Sequence, residues 1–215
     1  MIKTIVDTSN RILPACIGNA LNRNRFHAIK YYRKGAIEIP SFPPIINVEL
    51  TNTCNLRCPI CPRTKMTREQ GFMSLELVDN IVSETRGEAE FVTLHSWGES
   101  ILHPEIDTVG RKFKEAGFKI QLSTNATFLT PERQCKLLKS GVDFLVFSID
   151  ATNAETYNRV RTGGDYNQTS INVKTFLEKV KSKKVPITCT CQLVYNKLNM
   201  AEAKEFRAYW KKKRC

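Results

Sequence analysis

Five runs of this chain alternate apolar and polar residues closely enough to make two-faced β-strands, and that pattern limits the folds open to it. The runs are residues 45–50, 91–97, 119–124, 143–149 and 186–194. One face carries Ile46, Val48 and Leu50, then Val92 and Leu94, Ile120 and Leu122, Leu145, Phe147 and Ile149, and Ile187, Cys189, Cys191 and Leu193. The other carries Asn47, Glu49 and Thr51, then Thr93, His95 and Trp97, Gln121, Ser123 and Asn125, Ser148 and Asp150, and Thr188, Thr190 and Gln192. Side chains alternate across a strand, so each run has one greasy and one polar side. A flat parallel sheet covered on both faces would be apolar throughout. This sheet instead hides one face under helices and curls the polar face around a wet cavity. It places Cys189 and Cys191 on the covered side, as small hydrophobes.

Helical segments fall between the strands at residues 74–84, 104–116, 131–140 and 170–183, with a last one at 200–213. Their starts are marked by Ser74 with Glu76, His103-Pro104-Glu105 and Thr130-Pro131-Glu132. Strand, helix, strand at this spacing is the βα repeat of a parallel sheet, so the fold class is α/β, a partial (β/α) barrel. Residues 1–43 read as a basic N-terminal extension with a helix at 19–33, closed by Pro40, Pro43 and Pro44. Residues 44–215 are the core domain, a size that one hydrophobic core can support. No apolar run approaches a bilayer's width and the N-terminus lacks the plan of a signal peptide, so a cytoplasmic location is expected. The net charge is +12. Its lysines gather near helix C-termini, at Lys179, Lys181, Lys183 and Lys184 and at Lys211–Lys213, where they complement helix dipoles. A nucleic-acid partner is therefore not the expectation.

Just after the first strand stands Cys54-Asn-Leu-Arg-Cys58-Pro-Ile-Cys61. Three thiols this close in one loop can face one metal centre, and three is one short of a closed tetrahedral site. A disulfide framework does not suit a chain without a secretory signal. Zinc is the competing occupant, with His95 or His103 as fourth ligand. It would make the chain a non-catalytic, basic, nucleic-acid-binding module. Cys16, Cys135 and Cys215 stand alone, with no role assigned.

The triad and its setting, Glu49-Leu-Thr-Asn-Thr-Cys54, resemble the radical S-adenosylmethionine (SAM) family. Four strand ends carry the likeness in the family's order. After the triad come Trp97-Gly98-Glu99-Ser100, close to the family's Gly-Gly-Glu-Pro, then Ser123-Thr-Asn125-Ala126 and Ser148-Ile-Asp150-Ala151. Trp97 and Ser100 depart from the pattern. The resemblance implies that Cys54, Cys58 and Cys61 hold three irons of a 4Fe–4S cluster while SAM chelates the fourth. It implies that Gly98 and Glu99 receive the SAM amino group, and that Ser123, Asn125 and Ser148 bond its ribose and carboxylate oxygens. Arg161, before Gly163 and Gly164, would grip the carboxylate, and Ile60 and Gln192 would edge the adenine. His95, Trp97 and Asp150 would face the substrate. The implied chemistry is reductive SAM cleavage to a 5′-deoxyadenosyl radical that abstracts hydrogen from a small molecule or peptide, fed by flavodoxin or ferredoxin. Pro62-Arg63 and Gly71-Phe-Met-Ser most resemble the branch that often carries a SPASM domain, of which no cysteine-rich segment is seen. Five βα units are legible where the family usually has six. A bare edge on the fifth strand and weak turnover of a partial chain are therefore expected.

Overall fold

A computed structural model describes residues 4–5 and 19–211. Five parallel strands form one sheet: β2 (Ile45–Asn47), β3 (Phe91–Thr93), β4 (Lys119–Thr124), β5 (Phe144–Ser148) and β6 (Thr188–Val194). Their order across the sheet follows the order in the chain, as successive right-handed βα crossovers produce. A short sixth strand, β1 (Thr4–Ile5), pairs antiparallel with β6, placing Thr4 opposite Val194. The expectation of a bare edge is thereby corrected: a segment from the N-terminal extension covers it, as exposed strand edges generally require.

The helices are α1 (Asn19–Arg33), α2 (Leu75–Thr85), α3 (Ile106–Glu115), α4 (Pro131–Lys139), α5 (Ala154–Val160), α6 (Tyr166–Ser182) and α7 (Ala203–Lys211). Ser74 and Thr130 cap α2 and α4 by accepting from Leu77 N and Arg133 N. Helices α3 and α7 begin at Ile106 and Ala203, two and three residues later than the sequence reading, and two further starts rest on asparagine or aspartate caps. Asn153 accepts from Thr156 N and opens α5, a helix absent from that reading, while Asp165 accepts from Gln168 N and starts α6 four residues before position 170. The first two strands are shorter than expected because past Asn47 and Thr93 the backbone makes only single bonds, such as Val48 N to Thr93 O at 2.9 Å.

The face assignment holds along the sheet. Leu50, Val92, Leu94, Ile120, Leu122, Leu145, Phe147 and Ile149 are buried against the helices, joined by Val78, Val109, Phe113, Leu137, Val173 and Phe176. Cys189 and Cys191 are half-buried on that side, packed against the core. The concave face is less uniform than the sequence reading. At its N-terminal end Phe91 and Phe144 stack with centroids 5.5 Å apart, giving the lumen an apolar floor below its polar upper part. Cys16, Cys215 and the helix positions past Lys211 lie outside the described residues.

Candidate functional site

The C-terminal strand ends form one rim, and the triad loop is fastened to it at both ends. Asn52 donates from Nδ2 to Glu69 O (2.7 Å) and accepts Gly71 N at Oδ1 (2.9 Å), while Thr51 Oγ1 donates to Gly71 O (2.6 Å). Within the loop, buried Leu56 turns inward, and Arg63 Nη2 donates to Leu56 O at 2.7 Å. Arg57 N donates to Thr162 O at 2.9 Å, drawing the loop towards the segment after α5. The three thiols face one open cavity of about 150 Å³. Asn125 Nδ2 lies 3.8 Å from Cys54 Sγ, and Arg161 Nη1 lies 3.8 Å from Cys58 Sγ.

The same cavity is lined by His95, Trp97, Gly98 and Glu99 from the β3 end, by Ser123 and Asn125 from β4, and by Ser148 and Arg161. Ser123 and Ser148 hydroxyls pair across the strands at 3.0 Å. Glu99 is buried and takes Asn125 N (2.7 Å) and Ile101 N (3.4 Å) on its two oxygens, so it also caps the 3-10 turn Ser100–Leu102. Burial pushes its carboxyl up, against the pull of those N–H groups. Burial likewise raises the Cys54 and Cys58 thiols, opposed at Cys54 by Leu56 N–H and at Cys58 by the Arg161 guanidinium. His95 is pushed down by burial, which favours the neutral imidazole, and its Nδ1 is buried without a partner.

Several expected roles need revision. Asp150 does not face the cavity. At φ 64° the chain turns at this residue, folding its carboxylate back under the rim instead of continuing the inward alternation. There Oδ2 meets Arg161 Nη2 at 2.6 Å and Oδ1 accepts Val194 N at 2.6 Å, both fully out of solvent on the Asp150 side. Burial disfavours the Arg161 charge, but Asp150 and then Cys58 outweigh it and hold the guanidinium protonated. Ile60 points outward, 42% exposed, and Gln192 lies on β6 away from the cavity lining. Gly98 lines the cavity, and the chain itself leaves no room for a side chain there. A Cβ there would stand 1.8 Å from Thr51 O, so the close approach is to the chain's own backbone.

Residues that sequence reasoning passed over include Arg63 and Thr124, both on the lining. Arg63 had a usable signal, a cation two positions past the last thiol. The tie from Asn55 to Asn125 and Thr127, bonded at 2.5–3.0 Å, joins the triad loop to the β4 loop, and that pairing had none, because Asn55 stands 70 and 72 residues from its partners.

The donor set fits a cluster better than zinc. Among the described residues no three His, Cys, Asp or Glu side chains converge on a single ion. A cubane needs no such convergence, since each thiolate meets a different iron. His103 is unsuited as a fourth ligand: it is buried, with Nε2 on Met73 O (2.9 Å) and Nδ1 accepting Glu105 N (3.2 Å).

Comparison with known proteins agrees. The model of the Radical SAM superfamily matches residues 48–209, most of the chain. The chain belongs to the radical SAM superfamily. It is 30% identical over 168 residues to the tungsten-containing aldehyde ferredoxin oxidoreductase cofactor-modifying protein of Pyrococcus furiosus, covering 75% of this chain and 46% of that protein. It is 32% identical over 126 residues to the AdoMet-dependent heme synthase of Methanosarcina barkeri, covering 58% and 36%. Streptococcus suis SuiB bound to S-adenosylmethionine shares the fold, with TM-score 0.66 and 20% identity over 92% of this chain and 46% of SuiB. The chain thus spans less than half the length of these relatives. Radical SAM proteins bind a 4Fe–4S cluster and SAM, and these are the cofactors of this radical SAM domain. Among the described residues no helix is long and apolar enough to cross a membrane.

Proposed function

We propose that this chain is the catalytic core of a radical SAM enzyme, with residues 44–215 as core domain and 1–43 as extension. The observation that supports it most is the meeting of three thiols, Glu99 and Arg161 on one cavity at the strand ends. Cys54, Cys58 and Cys61 would hold three irons of the cluster. When bound, the reduced cluster with SAM supplies a 5′-deoxyadenosyl radical competent to abstract hydrogen, and the cofactors carry that chemistry.

The chain's own groups bind, orient and exclude water. Arg161, braced by Asp150, offers a cation to the SAM carboxylate, a planar fork suited to that partner. Glu99 offers its carboxylate to the SAM ammonium, a charge-assisted contact. The hydroxyls of Ser123 and Ser148 and the amide of Asn125 suit ribose oxygens. His95 and Trp97 stand on the lumen side for a substrate. A small molecule or peptide fits the range of relatives' names, which includes heme synthase and PqqA peptide cyclase. The single electron would come from a flavodoxin- or ferredoxin-type donor in the cytoplasm.

Anaerobic reconstitution followed by dithionite reduction in the presence of SAM tests the reading. About four irons per chain and formation of 5′-deoxyadenosine are expected. Cys58→Ala should lose most of the iron and the product. Full iron content in that variant, or stoichiometric zinc in the native chain, would overturn the assignment.

A further inference from the structure

Helix α1 is inverted relative to a helix that packs on a core. An amphipathic surface helix buries its apolar stripe and shows its polar side to water. Here the side turned towards the rest of the chain carries Asn24, which is buried and donates from Nδ2 to Glu88 O and Oε2, both at 3.0 Å. Phe26, Ile29 and Tyr32, each three positions from the last, form a stripe on the other side and are 64%, 47% and 82% exposed. Ile37, just past the helix, is exposed as well. Glu88 lies in the turn before β3, so α1 is tied to the end of the sheet opposite the cysteine rim.

Cations border the stripe. Lys30, Arg33 and Lys34 are exposed and Arg25 is half-buried. From Thr8 to Ile37 the sequence contains no Asp or Glu, and among the described residues none of these four cations has a carboxylate within ion-pair distance. The helix dipole favours cations in the last turn, but it gives no reason for two rings and an isoleucine to stand in water beside them. We propose that this face of α1 lies on an anionic lipid surface, with Phe26, Ile29 and Tyr32 entering the headgroup boundary and Lys30, Arg33 and Lys34 meeting the lipid phosphates. An apolar stripe flanked by lysine and arginine is the build of a helix that lies in the plane of a bilayer without crossing it. Aromatic rings favour that boundary, and long cationic side chains reach out of it to the headgroups. A second copy of the chain is a poorer occupant, because it would set cations against cations on a molecule of net charge +12. Single-stranded nucleic acid would answer the charges and stack on the rings, but it would leave Ile29 and Ile37 wet.

Flotation of the purified chain with lipid vesicles tests this. At low salt the chain should rise with vesicles of phosphatidylcholine and phosphatidylglycerol mixed two to one, and stay behind with phosphatidylcholine alone. Lys30→Glu/Arg33→Glu/Lys34→Glu and Phe26→Ser/Ile29→Ser/Tyr32→Ser should each lower the partition coefficient at least about tenfold, since charge and apolar area both contribute. Both variants should keep the far-UV circular dichroism of the native chain. Should the serine variant lose helix, Tyr32→Ser alone, at the most exposed position of the stripe, should still weaken binding about threefold. Absence of binding to the anionic vesicles overturns the proposal, as does equal binding to neutral ones. A serine variant that binds as tightly as the native chain would reduce the attraction to charge alone and also overturn it. Dimerisation lost in the serine variant, or capture of single-stranded RNA lost in the glutamate variant, would give the face to another occupant if vesicles are not bound, and overturns the lipid surface in either case.

Discussion

Gly98 shows how one missing side chain brings two strand ends together. The β2 and β3 exits meet where a Cβ on Gly98 would overlap Thr51 O, and Glu99 N then donates to Thr53 O at 2.8 Å. The clash in Gly98→Ala is with backbone, which cannot swing aside as a side-chain tip would. The variant is expected to lose about 3 kcal/mol or more, at or above the upper range for overpacking, measured by urea unfolding of the metal-free chain. Stability within about 0.5 kcal/mol of the parent, in the range of surface substitutions, would show that the two loops part at little cost. The residue type was legible in the sequence, but its cause was not. A glycine before a glutamate says nothing of its neighbour across the rim, and only the fold reveals that the space a side chain would need is taken by Thr51. Asp150 teaches the same lesson, because alternation places it on the inner face and a left-handed backbone removes it.

Between elements, the tie from α6 to the β4 loop matters most to the site. Asn172 is buried in the middle of α6, and its Nδ2 donates to Ala126 O (2.9 Å) and Thr127 O (3.2 Å), satisfying carbonyls of the turn that carries Asn125. Asn172→Leu keeps the branched shape and leaves both carbonyls without that donor. A loss of about 1–3 kcal/mol is expected, the cost of burying an unpaired polar group, with altered amide shifts at Asn125 and Thr127 in NMR spectra. Unchanged shifts would mean that the turn holds itself. The existence and order of the β and α elements could be read because each strand is two-faced and most helices announce a cap. Helix α5 could not, since its seven residues carry no apolar stripe long enough to register, even though Asn153 caps it and Glu155 stands in its first turn. Long-range side-chain ties such as Asn172 to Ala126 leave no periodic trace at all.

At the level of the whole molecule, Asp143 bridges three elements at the end of the sheet opposite the site. It accepts Lys114 Nζ from α3 at 2.6 and 2.7 Å, Lys119 Nζ from β4 at 3.1 Å, and Ile120 N at 2.9 Å. Partial burial raises its pKa, but these donors outweigh it and hold the carboxyl below its ordinary value of 3.8. A depressed carboxyl contributes stability above its unfolded pKa and loses it as pH falls through the folded one. Both lysines are partly solvated, so Asp143→Asn is expected to cost only about 1–2 kcal/mol at neutral pH. The gap to the parent should close as acid titration passes below 3.8. Urea midpoints measured from pH 7 into the acid range check this, and a gap that persists unchanged in acid would remove the carboxylate as its source.

The single amide of Asn52 has a further consequence. By donating to Glu69 O and accepting from Gly71 N it clasps both ends of the cysteine loop, much as a hydrogen-bonded pair of strands would. The contour between the clasped ends is then free to change. Closing a loop of twice the length costs only about 0.6 kcal/mol more chain entropy. Residues can be inserted or exchanged beyond Cys61, and the loop redrawn around a new partner, while the strands beneath keep their register. Surface novelty at this rim is thermodynamically cheap.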